Sequence, residues 1–244
     1  MLTFGSLFAG IGGADIGLER AGFECRWQVE IDDYCNRVLK KHWPTVRRHR
    51  DVRTFPPMVK GIWHRSDWEV DAIVGGFPCQ GISLAGYGGG LADERSGLWH
   101  EYARVVRLLR PNFVVIENSP AVVVRGLDTI LCDLAASGFD AEWQIIQASD
   151  FTLPHRRERA FIVAYANGQY GTKRVGTKQN RTREIFDRGL RERIPIRVQA
   201  ADHFVGVDDG IRGRAYRLRG KSIGNAIVPD VAEFIGRRII EALT

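Results

Sequence analysis

A chain of 244 residues with 44% apolar and 26% charged side chains has ordinary globular composition, enough for one large α/β domain with at most a small appendage. No apolar run approaches the length of a bilayer, the apolar first dozen residues lack a basic leader, and Cys25, Cys35, Cys79 and Cys132 show no CxxC pairing. This argues against a membrane protein, a disulfide framework and a zinc site, and favours a soluble, cytoplasmic protein. The net charge of +6 is uneven: residues 155–221 hold 17 Lys and Arg against 7 Asp and Glu, and the rest of the chain holds 18 against 22.

Residues 3–8 read as a first strand, and Ala9-Gly10-Ile11-Gly12-Gly13 as a glycine turn into an amphipathic helix that stops near Gly22. Asp15 stands where a dinucleotide fingerprint places its third glycine, so a dinucleotide pyrophosphate is not supported. Residues 25–29 read as a second strand ending at Glu30, twenty residues after Gly10. A carboxylate there can accept hydrogen bonds from both ribose hydroxyls of a nucleoside, unless it is a solvated surface acid. Residues 33–41 are helical, and residues 46–50 lead through a third strand to Asp51 and Val52. Asp51 can meet an adenine edge or sit in a surface ion pair.

Residues 70–74 form a fourth, buried strand that ends in Gly75-Gly76 and delivers Phe77-Pro78-Cys79-Gln80 into a glycine-rich loop. Pro78 fixes its own φ and biases Phe77 towards extended geometry, so the thiol leaves the strand in a defined direction. That suits a nucleophile, although an isolated Cys79 reads equally as a small buried residue in a turn. Gly86-Tyr87-Gly88-Gly89-Gly90 is a candidate lid, and residues 96–109 form a helix stopped by Arg110-Pro111. Residues 113–116 are the clearest buried strand, with Glu117-Asn118 at its carboxyl end. In an open parallel sheet ligands bind outside the carboxyl ends of the strands, and the Gly10 loop, Glu30, Cys79 and Glu117 all fall on that edge. Residues 122–137 read as one helix stopped by Gly138, and residues 143–147 and 160–165 as a hairpin. The run His155-Arg156-Arg157-Glu158-Arg159 is a solvated basic face or a set of arginines that orients a carboxylate. From 166 to about 220 the periodicity fades into a basic appendage or connector; order returns at residues 222–229, and residues 230–243 form a closing helix begun near Pro229.

In combination these segments resemble the DNA (cytosine-5) methyltransferases, in particular the small solitary enzymes of phages and prophages. Phe8-Ala9-Gly10-Ile11-Gly12 is similar to that family's cofactor loop, Glu30 to its ribose acid and Asp51 to its adenine-edge acid. Gly76-Phe77-Pro78-Cys79-Gln80 is similar to the nucleophile loop, Glu117-Asn118 to the catalytic acid, His155 to Arg159 to Gln-x-Arg-x-Arg, and Gly224-Asn225-Ala226 to the last cofactor-proximal turn. The resemblance implies an α/β fold, a mostly parallel open sheet flanked by helices, of the class I S-adenosylmethionine-dependent methyltransferase type. Residues 1–165 would be the catalytic domain, 166–220 a short basic recognition region, and 221–244 a return to the catalytic domain.

By the same resemblance Cys79, Glu117, Arg157 and Arg159 are catalytic, with Arg157 holding Glu117 and Arg159 meeting the base O2. S-adenosyl-L-methionine would be held by Phe8, Ala9, Gly10, Ile11, Gly12, Glu30, Ile31, Asp51, Val52, Pro78, Leu98, Asn225 and Ala226, with no metal. The implied substrate is a cytosine flipped out of double-stranded DNA by a monomeric enzyme, without a membrane partner and in the manner of restriction-modification. Ser119 stands where the family usually has Val, and His155 where it has Gln; the recognition region is short, and its charge suits phosphate contacts more than base reading. The alternatives are the family's tRNA branch and a truncated relative that retains affinity without turnover.

Overall fold

In the computed structural model, which describes residues 1–58, 64–78, 98–151, 157–166 and 226–243, seven strands form one sheet. They are β1 (Thr3–Leu7), β2 (Glu24–Val29), β3 (Arg47–His49), β4 (Ala72–Gly75), β5 (Phe113–Asn118), β6 (Phe139–Gln147) and β7 (Glu158–Ala166). Their order is β3-β2-β1-β4-β5-β7-β6, and only the pairings of β7 with β5 and β6 are antiparallel. The class expected from sequence, a mostly parallel open sheet, is the one observed.

Strand periodicity divides the core. Ile73, Val114 and Ile116 face one layer, while Ala72, Val74, Phe113 and Val115 face the other. Because both faces are covered, the central strands are continuous apolar runs instead of alternating ones. The first face packs on α3 (Leu98–Leu109), α4 (Val122–Arg125) and α5 (Leu127–Ala136), through Trp99, Tyr102, Val106 and Ile130. The second packs on α1 (Gly13–Ala21) and the closing helix, through Ala14, Leu18, Phe234 and Ile235. A further helix, α2 (Asp33–His42), starts where Asp32 Oδ1 accepts the Cys35 N–H at 2.9 Å. The closing helix, α6 (Pro229–Leu243), has proline at its first position, where a missing N–H costs nothing.

Two expectations are corrected. The helix expected over 122–137 is α4 and α5, separated by Gly126. The strand expected from 143 begins at Phe139, because Gly138 adopts φ 84 and turns the chain directly out of α5 into β6. No helix among the described residues is long and apolar enough to cross a membrane, and no group of His, Cys, Asp and Glu among them could hold a metal ion.

Register sets the position of the site. Leu7 pairs with Val29 on one side and Gly75 on the other, and Gly75 pairs with Ile116. Four parallel strands therefore end together, and the residues that follow them, or that close β5, share one edge.

Candidate active site at the carboxyl edge of the sheet

The loop after β1 is built from left-handed residues: Phe8 at φ 53, Gly10 at φ 58 and Gly12 at φ 86. A bulky residue at positive φ is strained, and such strain persists only where the surroundings hold it. Here the Phe8 ring stacks on Tyr102 at 6.4 Å, and the Ala9 N–H donates to Val29 O at 3.1 Å. Nothing lies within 4 Å of where a Gly10 Cβ would project, so the backbone at the tip is open to a close ligand. Gly12 caps α1, and Ile11 is buried beneath the loop.

Glu30 follows β2 and ties the loop down. Its Oε2 accepts the Gly10 N–H and its Oε1 the Asp32 N–H, both at 2.7 Å. Burial raises its pKa, and the backbone hydrogen bonds oppose that rise. Beside it Ile31 is 61% exposed, an apolar side chain free to cover a ligand's face. Asp51 caps a short 3-10 helix and binds Arg53 in a forked pair, Nε to Oδ1 at 2.9 Å and Nη2 to Oδ2 at 2.7 Å. That pairing holds its carboxyl below the usual range. Val52 is buried, and its carbonyl accepts Arg104 Nη2 at 2.7 Å. Leu98 opens α3 and packs on the first core layer.

Glu117, 7% exposed, sits at the end of β5. The β5–β7 register pairs it with Phe161, so Arg159 and Arg157, two and four residues earlier in the chain, fall on its face of the sheet. Alternation thus explains the Arg-x-Arg spacing. Arg159 Nε lies 2.9 Å from Glu117 Oε1. Arg159, expected to meet the base O2, is the diagonal neighbour that pairs with Glu117, and the charge of Arg157, expected to hold the acid, also acts on Glu117. Burial raises the Glu117 pKa more than the two arginines lower it, so its proton is released at a higher pH than that of an ordinary glutamate. Burial likewise lowers the pKa of Arg157.

The acid also shapes the approach to the nucleophile loop. A Cβ on Gly76 would lie 2.4 Å from Glu117 Oε2, so only glycine lets the carboxyl take this position. Asn118 Nδ2 donates to Phe77 O at 3.1 Å, and Asn118 Oδ1 accepts the Ser119 N–H at 2.8 Å. The residue after Glu117 thereby pins the backbone that leads through Pro78 to Cys79. This clamp is invisible in sequence, since only the sheet order makes β4 and β5 neighbours. Cys79, Asn225, the loop at 86–90, His155 and residues 167–220 of the basic region lie outside the described residues, whereas Ala166, expected to open that region, ends β7.

One crevice joins these parts. It is lined by Ser6, Leu7, Phe8, Ala9, Gly10 and Ala14, by Gly75, Gly76 and Glu117, and by Ala226 and Ile227. Of the candidate residues it brings together Phe8, Ala9, Gly10, Glu117 and Ala226, with Glu30 attached through Gly10. It does not include Ile31, Asp51, Val52, Pro78 or Leu98. Asp15, which in the sequence only sets aside the dinucleotide fingerprint, stands fully buried behind the crevice wall. The periodicity carries the signal: Ala14, Asp15 and Leu18 lie on one buried face of α1, and an acid on that face needs a reason.

The fold is the α/β fold of methyltransferases. The structure of Entamoeba histolytica methyltransferase EhMeth superposes with a TM-score of 0.68 at 14% identity, over 100% of this chain and 99% of that one. The chain belongs to the C-5 cytosine-specific DNA methylase family, whose model matches residues 2–205. The type II methyltransferase M.HgiCII of Herpetosiphon aurantiacus is 32% identical over 164 residues, which are 66% of this chain and 36% of that protein. M.AquIA of Picosynechococcus is 33% identical over 178 residues, 67% of this chain and 72% of that protein. The chain spans about a third to a half of the length of the first relatives it matches.

Proposed function

We propose that this protein is a DNA (cytosine-5)-methyltransferase acting on a cytosine turned out of duplex DNA, with Cys79 as nucleophile and S-adenosyl-L-methionine as methyl donor. The observation that carries the reading is the shared crevice: the open Gly10 loop and the buried carboxyl of Glu117, whose pKa burial raises, line the same space. Asn118 fixes the backbone two residues before Cys79. Residues 1–165 and 221–244 form the catalytic part in this reading, and 166–220 the basic region that holds DNA.

The residues present fit the methyl donor. The glycine tip admits a close ligand, and the Glu30 carboxylate at the end of β2 retains lone pairs for ribose hydroxyls. Ile31, Asp51, Val52, Pro78, Leu98 and Asn225 complete the set by resemblance. When bound, the donor supplies an electrophilic methyl group. The chain's own residues do the rest. The Cys79 thiolate adds to cytosine C6, which turns C5 into a nucleophile able to take the methyl. Protonated Glu117 donates to N3 and stabilises the charge that develops as the thiolate adds. Arg159 orients Glu117, and Arg157 adds positive charge beside it. Loss of the C5 proton then expels the thiolate.

The test is transfer of labelled methyl from S-adenosyl-L-methionine to duplex DNA and to tRNA, by wild type and by Cys79→Ala. Label at cytosine C5 of DNA, abolished in the variant, is expected, and a 5-fluorocytosine duplex should trap the wild type covalently. Labelling of tRNA alone would assign the chain to RNA, and equal labelling by the variant would remove the covalent route.

A further inference from the structure

Asp15 lies in the first turn of α1, is fully buried, and takes no part in the mechanism above. Its partners come from two neighbouring strands, β1 and β2. Ser6 Oγ of β1 donates to Oδ2 at 3.0 Å; Gln28 Nε2 of β2 donates to Oδ1 at 2.8 Å; the Cys25 thiol, also on β2, approaches Oδ1 at 3.7 Å. Ser6 and Ala14, the latter next to Asp15 in the chain, both line the crevice. All three contacts are donors, an arrangement that suits an ionised carboxylate.

Among the described residues no cation balances it: no Lys or Arg forms an ion pair with Asp15, and the nearest charge on its own helix, Glu19, repels it. On the helix packed against α1, Asp230 is engaged by Arg20 at 3.6 Å and Glu233 by Arg237 at 2.7 Å. A buried carboxylate without a countercharge is costly, and a ligand cation in the adjoining crevice would offset that cost. Gln28 Oε1 is buried without a hydrogen-bond partner among the described residues. Rotation of that amide would let it accept a proton from neutral Asp15, so the cluster accommodates both protonation states.

Building on the proposed function, we infer that Asp15 is a specificity-determining positioning residue, the buried countercharge by which the crevice prefers a cationic sulfonium ligand over its neutral thioether product. The charge acts through the crevice wall without touching the reacting atoms, and it discriminates because the two ligands differ by one positive charge at sulfur. Its pKa, raised by burial to about 6, makes the preference titratable just below neutrality.

Calorimetric affinities for S-adenosyl-L-methionine and S-adenosyl-L-homocysteine, measured on wild type and Asp15→Asn at pH 7.5, test this without reference to turnover. In Asp15→Asn the ratio of the two affinities is expected to move against the sulfonium by roughly five- to tenfold, the scale of one charge acting across a crevice at an intermediate dielectric constant. The affinity for the homocysteine form should stay within about twofold of wild type on the same reasoning. Equal losses for both ligands would make Asp15 merely structural, and an unchanged ratio would also overturn the inference. In wild type alone the same ratio should fall as the pH drops from 7.5 to 5.5; a flat profile counts against the inference even if the variant does not fold. Failure of wild type to bind either ligand would instead remove the functional reading on which it rests.

Discussion

The Asp15 carboxyl has a folded-state pKa of about 6 against an ordinary 3.8, and burial is the main cause. Between those values the folded chain holds a proton that the unfolded chain has released, so this group's contribution to stability falls as pH rises through the window. Below about pH 4 the cost is absent; above about pH 6 it is complete, at about 3 kcal/mol. Asp15→Asn removes the ionisation, and the Gln28 amide can turn its oxygen to the new NH2 group. Urea denaturation at a series of pH values should therefore show the variant more stable than wild type at pH 7, by up to about 3 kcal/mol, with the advantage vanishing towards pH 4. A residue whose loss improves the fold while it weakens sulfonium binding is retained for function. Glu117 follows the same sign, since burial also raises its pKa.

Among the elements, the ends of β4 and β5 carry the chemistry, and the Gly76–Glu117 contact is their tightest point. In Gly76→Ala the new Cβ would stand 2.4 Å from Glu117 Oε2. The obstructed atom is the end of a side chain, so the carboxyl would swing aside and the fold survive. Methyl transfer by Gly76→Ala is expected to fall at least about tenfold, as a misplaced acid loses its alignment, with a melting temperature within a few degrees of wild type. A variant that transfers methyl at the wild-type rate would show that the carboxyl has room to spare. Much of this edge was legible in advance. Runs such as Phe113 to Ile116 announce buried strands, and the glycines at 10, 12, 75 and 76 mark where they end. What sequence could not supply was adjacency. The Asn118 clamp on Phe77 and the Arg159–Glu117 pair exist because β4, β5 and β7 are neighbours in the sheet. The start of β6 was hidden for another reason: Phe139 and Ala141 face the core and alternate with Asp140 and Glu142, but the strand follows Gly138 directly, with no intervening loop to mark its beginning. The break at Gly126 was masked by apolar periodicity on both sides of it.

Across the whole molecule, the last helix returns to the first. Val231, Phe234, Ile235 and Ile239 of α6 are at most 2% exposed and share a core layer with Ala14 and Leu18 of α1, directly behind the cofactor loop, while Ala226 and Ile227 complete the crevice. Burial of these four side chains contributes on the order of 6–12 kcal/mol, comparable to the roughly 5–15 kcal/mol by which a domain is stable. The segment 226–243 is therefore part of the α/β core, although 59 residues, 167–225, separate it from β7. A chain ending at 225 should show no cooperative thermal transition by circular dichroism and no calorimetric binding of S-adenosyl-L-methionine. Phe234→Ala, which opens one cavity and keeps the helix, should still melt cooperatively, at a cost of about 3–5 kcal/mol. Adding the separate peptide 226–243 to the shortened chain distinguishes the role of α6 from a general loss of length: recovery of binding requires that the apolar stripe of α6 alone seats the α1 loop. If the shortened chain binds the ligand unaided, α1 and β1 hold the crevice without their C-terminal support.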